Sequence, residues 1–156
     1  MRQPRSLLVT LATAICLAAC GGSDSPSEPG NGNNGGNGGG TTREIKQSPS
    51  FAADIQEIFT RTGCTAAGCH GDGTGRAGLL LVSNAAANHG MLVGVPSTRE
   101  PMFNRVTPND ATNSYLVIKL EGRQTVGGQM PAGGGPLDNI DITNIRNWIN
   151  NGAPNN

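Results

Sequence analysis

Cys64, Cys69 and His70 stand together in the stretch Gly63-Cys64-Thr65-Ala66-Ala67-Gly68-Cys69-His70-Gly71. A cysteine followed directly by histidine, with a second cysteine shortly upstream, is what c-type haem attachment requires. The two thiols add to the haem vinyl groups, and the histidine beside the second thioether rises under the iron as proximal ligand. Four residues separate the cysteines where two are usual, and all four are small, which suits a wider loop. Two other readings stay open at this point. Cys64 and Cys69 would pair as a disulfide by default in an oxidising compartment. A zinc-type site would have only three clustered ligands, and adjacent Cys69 and His70 fit poorly into one tetrahedron.

A six-coordinate iron needs a ligand on its other face, and Met91, Met102, Met130 and His89 are the candidates. Met130 is the choice. It precedes Pro131 in a glycine-rich loop, Gly127-Gly128-Gln129-Met130-Pro131-Ala132-Gly133, where proline restricts the backbone beside the thioether. Met130 as loop filler is the bland alternative. His89 is read as a surface residue. Arg105, Lys119 and Arg123 could each meet a haem propionate, although most such side chains are simply solvated.

The elements that must position these groups follow from periodicity and caps. Ser48 as cap and Pro49 at the first position open a helix in which Phe51, Ile55, Ile58, Phe59 and Thr62 recur at helical spacing, stopped by Gly63. A closing helix begins at Asp138 or Asp141, carries the stripe Ile142, Ile145, Trp148 and Ile149, and ends at Gly152 before Pro154. Between them Ser83 caps a short alanine-rich helix to about Met91. Ser114 caps a further helix over Tyr115, Leu116, Val117, Ile118 and Leu120, a run whose β-branched content would also suit a strand. The fold class is therefore all-α, with long glycine-rich loops at Gly71 to Gly78 and Gly122 to Pro136. Loops of this kind need something to organise them, and a large apolar cofactor would add core to a chain with few aromatics.

The 156-residue chain has room for one such domain. Residues 1–20, with Arg2 and Arg5 before the apolar run Leu7 to Ala19, read as a secretory signal too short to span a membrane. Its end, Leu17-Ala18-Ala19-Cys20-Gly21, resembles the lipobox of bacterial lipoproteins, which implies cleavage before Cys20 and acylation of its thiol. Cys16 would leave with the signal, so only Cys64 and Cys69 remain as thiols of the exported domain. Residues 21–48 are Gly, Asn, Ser and Pro with almost no apolar side chain, a disordered tether of about 30 Å reach. Residues 49–154 form the domain. A net charge of zero and a pI near 6.7 give no electrostatic case for binding nucleic acid.

The stretch Ser50 to Gly71 resembles the opening helix and haem motif of cytochrome c-like domains in bacterial exported lipoproteins. Ser114-Tyr115-Leu116-Val117-Ile118-Lys119-Leu120-Glu121-Gly122 is similar to a segment recurring in them, and Gln129-Met130-Pro131 through Ile145 to Ala153 resembles their distal-methionine loop and closing helix. A spacing of four between the cysteines is a known variant, particularly in multihaem cytochromes. The resemblance implies one covalent haem c on Cys64 and Cys69, with His70 proximal and Met130 distal. It also implies first and last helices that cross near the haem edge, with Phe59 against Trp148. The expected role is electron transfer between unidentified redox partners, outside the cytoplasm and lipid-anchored to a membrane through Cys20. With both axial positions filled the domain is no enzyme, though it could serve as the electron-entry module of a separate oxidoreductase. The competing expectation is a haem-free lipoprotein domain closed by a Cys64-Cys69 disulfide, with a structural or interaction role.

Overall fold

A computed structural model describes residues 42–156, so the expected signal, Cys20 and most of the tether lie outside the described residues. The fold is helical. Among the described residues there is no sheet, only isolated bridges such as Val93 with Val106 and Pro96 with Asn104. None of the helices described is long and apolar enough to cross a membrane.

The chain enters the first helix through a π turn, Phe51–Ile55, in which the Gln56 amide reaches back to the Phe51 carbonyl, and continues as α1, Gln56–Arg61. The cap is Ser50, not Ser48: its Oγ accepts from the Ala53 amide at 3.3 Å while Asp54 accepts from the Ser50 amide at 2.9 Å. Asn156 also serves this end, its Oδ1 taking the Phe51 amide and its backbone oxygen the Ala52 amide, both at 2.8 Å. These partners take up amides that the first turn leaves without intrahelical acceptors.

Helix α2 is Ala85–Leu92, capped by Asn84 rather than Ser83. Helix α3 is Tyr115–Leu120, which settles the helix-or-strand ambiguity of that run. Ser114 stands at its N-cap, but its hydroxyl donates to the Asp110 carbonyl at 2.7 Å and accepts from the Thr107 amide at 2.8 Å. Helix α4, Asn139–Asn150, is capped by Asp138, whose Oδ1 takes the Asp141 amide at 3.0 Å. It ends as expected on Gly152.

The core gathers Phe51, Ile55, Ile58, Phe59, Leu92, Val106, Val117, Leu120, Ile145, Trp148 and Ile149, nearly all without exposure. On Trp148 the aromatic partner is Phe51, with ring centroids 4.9 Å apart, and Phe59 meets Phe51 at 6.4 Å. The expected Phe59 and Trp148 pair is thus replaced by Phe51, because the π turn brings Phe51 onto α4. His89, expected at the surface, is half-buried. Its ring stands edge-on to Phe51 at 5.2 Å, and Nε2 donates to the Ala153 carbonyl at 2.8 Å.

Packing also reaches back before Pro49. Along α4 and at its C-cap, Asn144, Asn147 and Asn151 donate their amides to the carbonyls of Glu44, Lys46 and Gln47 at 2.7 to 2.8 Å, and Asn144 Oδ1 accepts from the Lys46 amide. Their spacing puts three carboxamides on one helix face. The last residues assigned to the tether are therefore held as an extended strap on α4.

Candidate functional site

Helix α1 stops in a way that fixes Cys64. Gly63, at φ +76°, donates its amide to Thr60 O at 3.2 Å, and Cys64 donates to Phe59 O at 2.8 Å. This pair of bonds is the Schellman termination, in which the second residue past the cap packs back on the helix. Cys64 accordingly lies half-buried against the core. Its thiol meets Thr62 Oγ1 at 3.4 Å, and since that hydroxyl donates to Ile58 O at 2.6 Å, the thiol is the donor. Burial pushes the Cys64 thiol above its ordinary range.

The wide spacer then closes on itself. Amides of Cys69 and Gly71 donate to Ala66 O, and the His70 amide donates to Cys64 O at 3.1 Å, so a four-residue spacer still returns histidine to the first cysteine. Gly71 is required by contact: a Cβ there would run into the Thr65 carbonyl. Replacing Gly71 with alanine is expected to cost about 1 to 3 kcal/mol by overpacking. Gly90, inside α2 with open space around its Cβ position, should instead gain about 1 kcal/mol as alanine. Urea denaturation of the two variants checks the contrast.

His70 is tied at both ends to one segment. Its carbonyl accepts the Leu81 amide at 2.7 Å, and Nδ1 lies 2.9 Å from Leu79 O. A carbonyl can only accept, so Nδ1 carries the proton and a neutral ring keeps the Nε2 lone pair for a metal. Metal-bound histidines are oriented by such a bond from the other ring nitrogen. The segment itself is clasped by fully buried Asn88, which donates to Val82 O and Gln56 Oε1 and accepts from the Val82 amide at 2.7 to 2.8 Å. Nothing in the local pattern marks Asn88, because its bonds join the extended chain at Val82 to Gln56 on α1.

Both cysteines are free thiols. Among the described residues no three His, Cys, Asp or Glu side chains gather as a metal cluster, so Cys64, Cys69 and His70 do not form one. Of the candidates for the other axial position, Met102 is 84% exposed and Met91 is half-buried, with its carbonyl taking Arg105 Nη1 at 2.8 Å. His89 uses Nε2 on Ala153. Met130 is half-buried and packs on the same core as Cys64, Leu79, Leu116 and Leu137. Its amide donates to Lys119 O at 3.0 Å at the end of α3.

An open cleft of about 290 Å³ is bordered by Thr62, two residues before Cys64, and by Pro131, next to Met130. Its polar wall holds Asp141, which takes both Arg61 contacts at 2.8 and 2.9 Å and Arg43 at 3.2 Å, with Arg43 also on Asp138 at 2.6 Å. The end of α1 and the Met130 loop therefore share one space. Arg105 is not solvated: it is buried, donating to the carbonyls of Met91, Ala77 and Gly78, and burial lowers its pKa. Arg123 pairs with Glu121 at 2.7 Å, and Lys119 Nζ donates to Gly128 O.

Comparison with protein-family models, with curated proteins and with solved structures returns no match.

Proposed function

We propose that residues 49–154 are a cytochrome c-like electron carrier holding one covalent haem, with Cys64 and Cys69 as thioether sites, His70 proximal and Met130 distal. The observation that carries this reading is the Nδ1 bond of His70 to Leu79 O beside two free thiols, which leaves Nε2 free for iron. The donor set fits. Imidazole and thioether are the ligands that hold a c-type iron, and thiols, not a disulfide, are what vinyl addition consumes.

When bound, the haem would supply a reversible one-electron iron couple, which imidazole and thioether tune toward a comparatively high potential. The chain's own part is positional. His70 is oriented by its bond to Leu79 O, Cys64 and Met130 pack against one apolar core, and Met130 as a ligand would close the distal side to a substrate. Donor and acceptor would be redox proteins meeting an exposed edge, and attachment through lipid on Cys20 would keep that edge near a membrane.

The test is the reduced optical spectrum and the mass of protein matured with cytochrome c assembly machinery. A c-type α band and one added haem mass are expected, and unmodified mass with a Cys64-Cys69 disulfide would overturn the reading. The distal assignment has its own check. Oxidised protein should show a thioether-to-iron band at the red end of the visible spectrum, lost in Met130→Ala and kept in Met91→Leu and Met102→Leu.

A further inference from the structure

Residues 125–129 run exposed between α3 and Met130 and carry no core side chain, Val126 being 40% exposed. Burial therefore does not fix their course. Two polar ties do: Lys119 Nζ on Gly128 O, and Glu100, remote in sequence and only 8% exposed. One of its carboxylate oxygens, Oε1, takes the Thr125 amide at 2.8 Å, the Thr125 hydroxyl at 2.6 Å and the Val126 amide at 2.8 Å.

Glu100 is itself fixed. Ser97 Oγ accepts the amides of Arg99 and Glu100, the Phe103 amide closes on Glu100 O at 3.0 Å, and Phe103 stacks on Tyr115 of α3 with ring centroids 6.3 Å apart. Hydrogen bonds to Thr125 and Val126, with the charge of Lys119, hold its carboxyl below the usual carboxylate range, so it stays an anion. Bonds to an ionised acceptor are stronger than neutral ones. Downstream, Gln129 Nε2 donates to Leu120 O at 2.7 Å and the Met130 amide to Lys119 O. The segment is held at its middle by Glu100 and at its far end by α3.

We propose that Glu100 is the positioning residue for Met130, keeping residues 122–130 in the course that presents the thioether to iron. The proposal rests on Met130 as distal ligand. Without the carboxylate the bonds from Lys119 to Gly128 O and from Gln129 and Met130 to α3 remain, but Thr125 and Val126 lose their shared acceptor, so the segment leading into Met130 is held on one side only and the thioether loses its fixed course.

The experiment uses the haem-loaded full chain, wild type and Glu100→Ala, Glu100→Gln and Thr125→Val. Loss of even one charge-assisted bond corresponds to about tenfold in the closed-to-open ratio of the segment. In Glu100→Ala, amide exchange at Thr125, Val126 and Met130 and carbon monoxide binding by the reduced protein should therefore rise by about tenfold or more, and the thioether band should weaken. Exchange at Trp148 and Ile149 should not change. Glu100→Gln, which keeps a carbonyl acceptor without the charge, should fall between. A Glu100→Ala protein with wild-type band and carbon monoxide kinetics overturns the proposal. If that variant loses protection in α4 as well, Thr125→Val decides: a smaller shift in the same direction supports the proposal, and no shift overturns it. A wild type that lacks the band and binds carbon monoxide readily refutes Met130 as ligand, and the Glu100 proposal falls with it.

Discussion

Replacing His70 with alanine should abolish the haem spectrum while leaving the helical fold intact. The backbone bonds that close the loop, from the His70 amide to Cys64 O and from the Leu81 amide to His70 O, do not involve the ring. What the variant loses is a half-buried imidazole and its single bond to Leu79 O, a cost of about 1 kcal/mol against a total stability of about 5 to 15. Far-UV circular dichroism should therefore match the wild type as the α band vanishes. His89→Ala should give the opposite pattern, retaining haem and losing stability, because that ring fills space against Phe51 and Trp148 and ties α2 to the Ala153 carbonyl. If both variants kept a wild-type spectrum, His70 would not be a ligand.

The residues of the candidate site and the helices around it could be read from local pattern, because the signals are local. A glycine past the last turn, at Gly63 and Gly152, stops a helix through its own left-handed φ, and no distant partner is needed. Asp138 at the start of α4 is local in the same sense. Where local reading chose the wrong serine, two candidates stood close together and tertiary partners decided: Asn156 and Asp54 select Ser50 over Ser48. Ser114 shows the converse, a serine at a helix start whose hydroxyl answers to Asp110 and Thr107.

The polar groups that organise the long loops were out of reach for a different reason. Asn88, Arg105 and Glu100 are side chains that composition assigns to the surface. They are buried because carbonyls and amides brought from remote positions satisfy them, and period and propensity carry no trace of such partners. The same holds for the strap, since its composition reads as unstructured and its order comes from three asparagines along α4 and its C-cap. Both long loops take such partners, Arg105 on the carbonyls of Ala77 and Gly78 and Glu100 on the amides of Thr125 and Val126.

Trp148→Ala is expected to cost the most stability of any single change in the domain. Trp148 is wholly buried, its indole packs on Phe51 at 4.9 Å, and Nε1 donates to Pro154 O at 3.0 Å. Truncating a buried tryptophan costs about 3 to 5 kcal/mol, a large share of what a domain this size has. The damage would extend to the site. Phe51 lies in the turn that begins the first helix, Phe59 rests on Phe51, and the Phe59 carbonyl takes the Cys64 amide, so loosening Trp148 loosens the termination that holds the first cysteine. Trp148→Phe keeps an aromatic face but leaves Pro154 O without its donor, and should cost roughly half as much. Urea midpoints of the three proteins, with covalent haem yield measured beside them, check the order. Haem yield that stays at the wild-type level while Trp148→Ala loses its full share of stability would show that the cysteine loop holds its shape without the core beneath it.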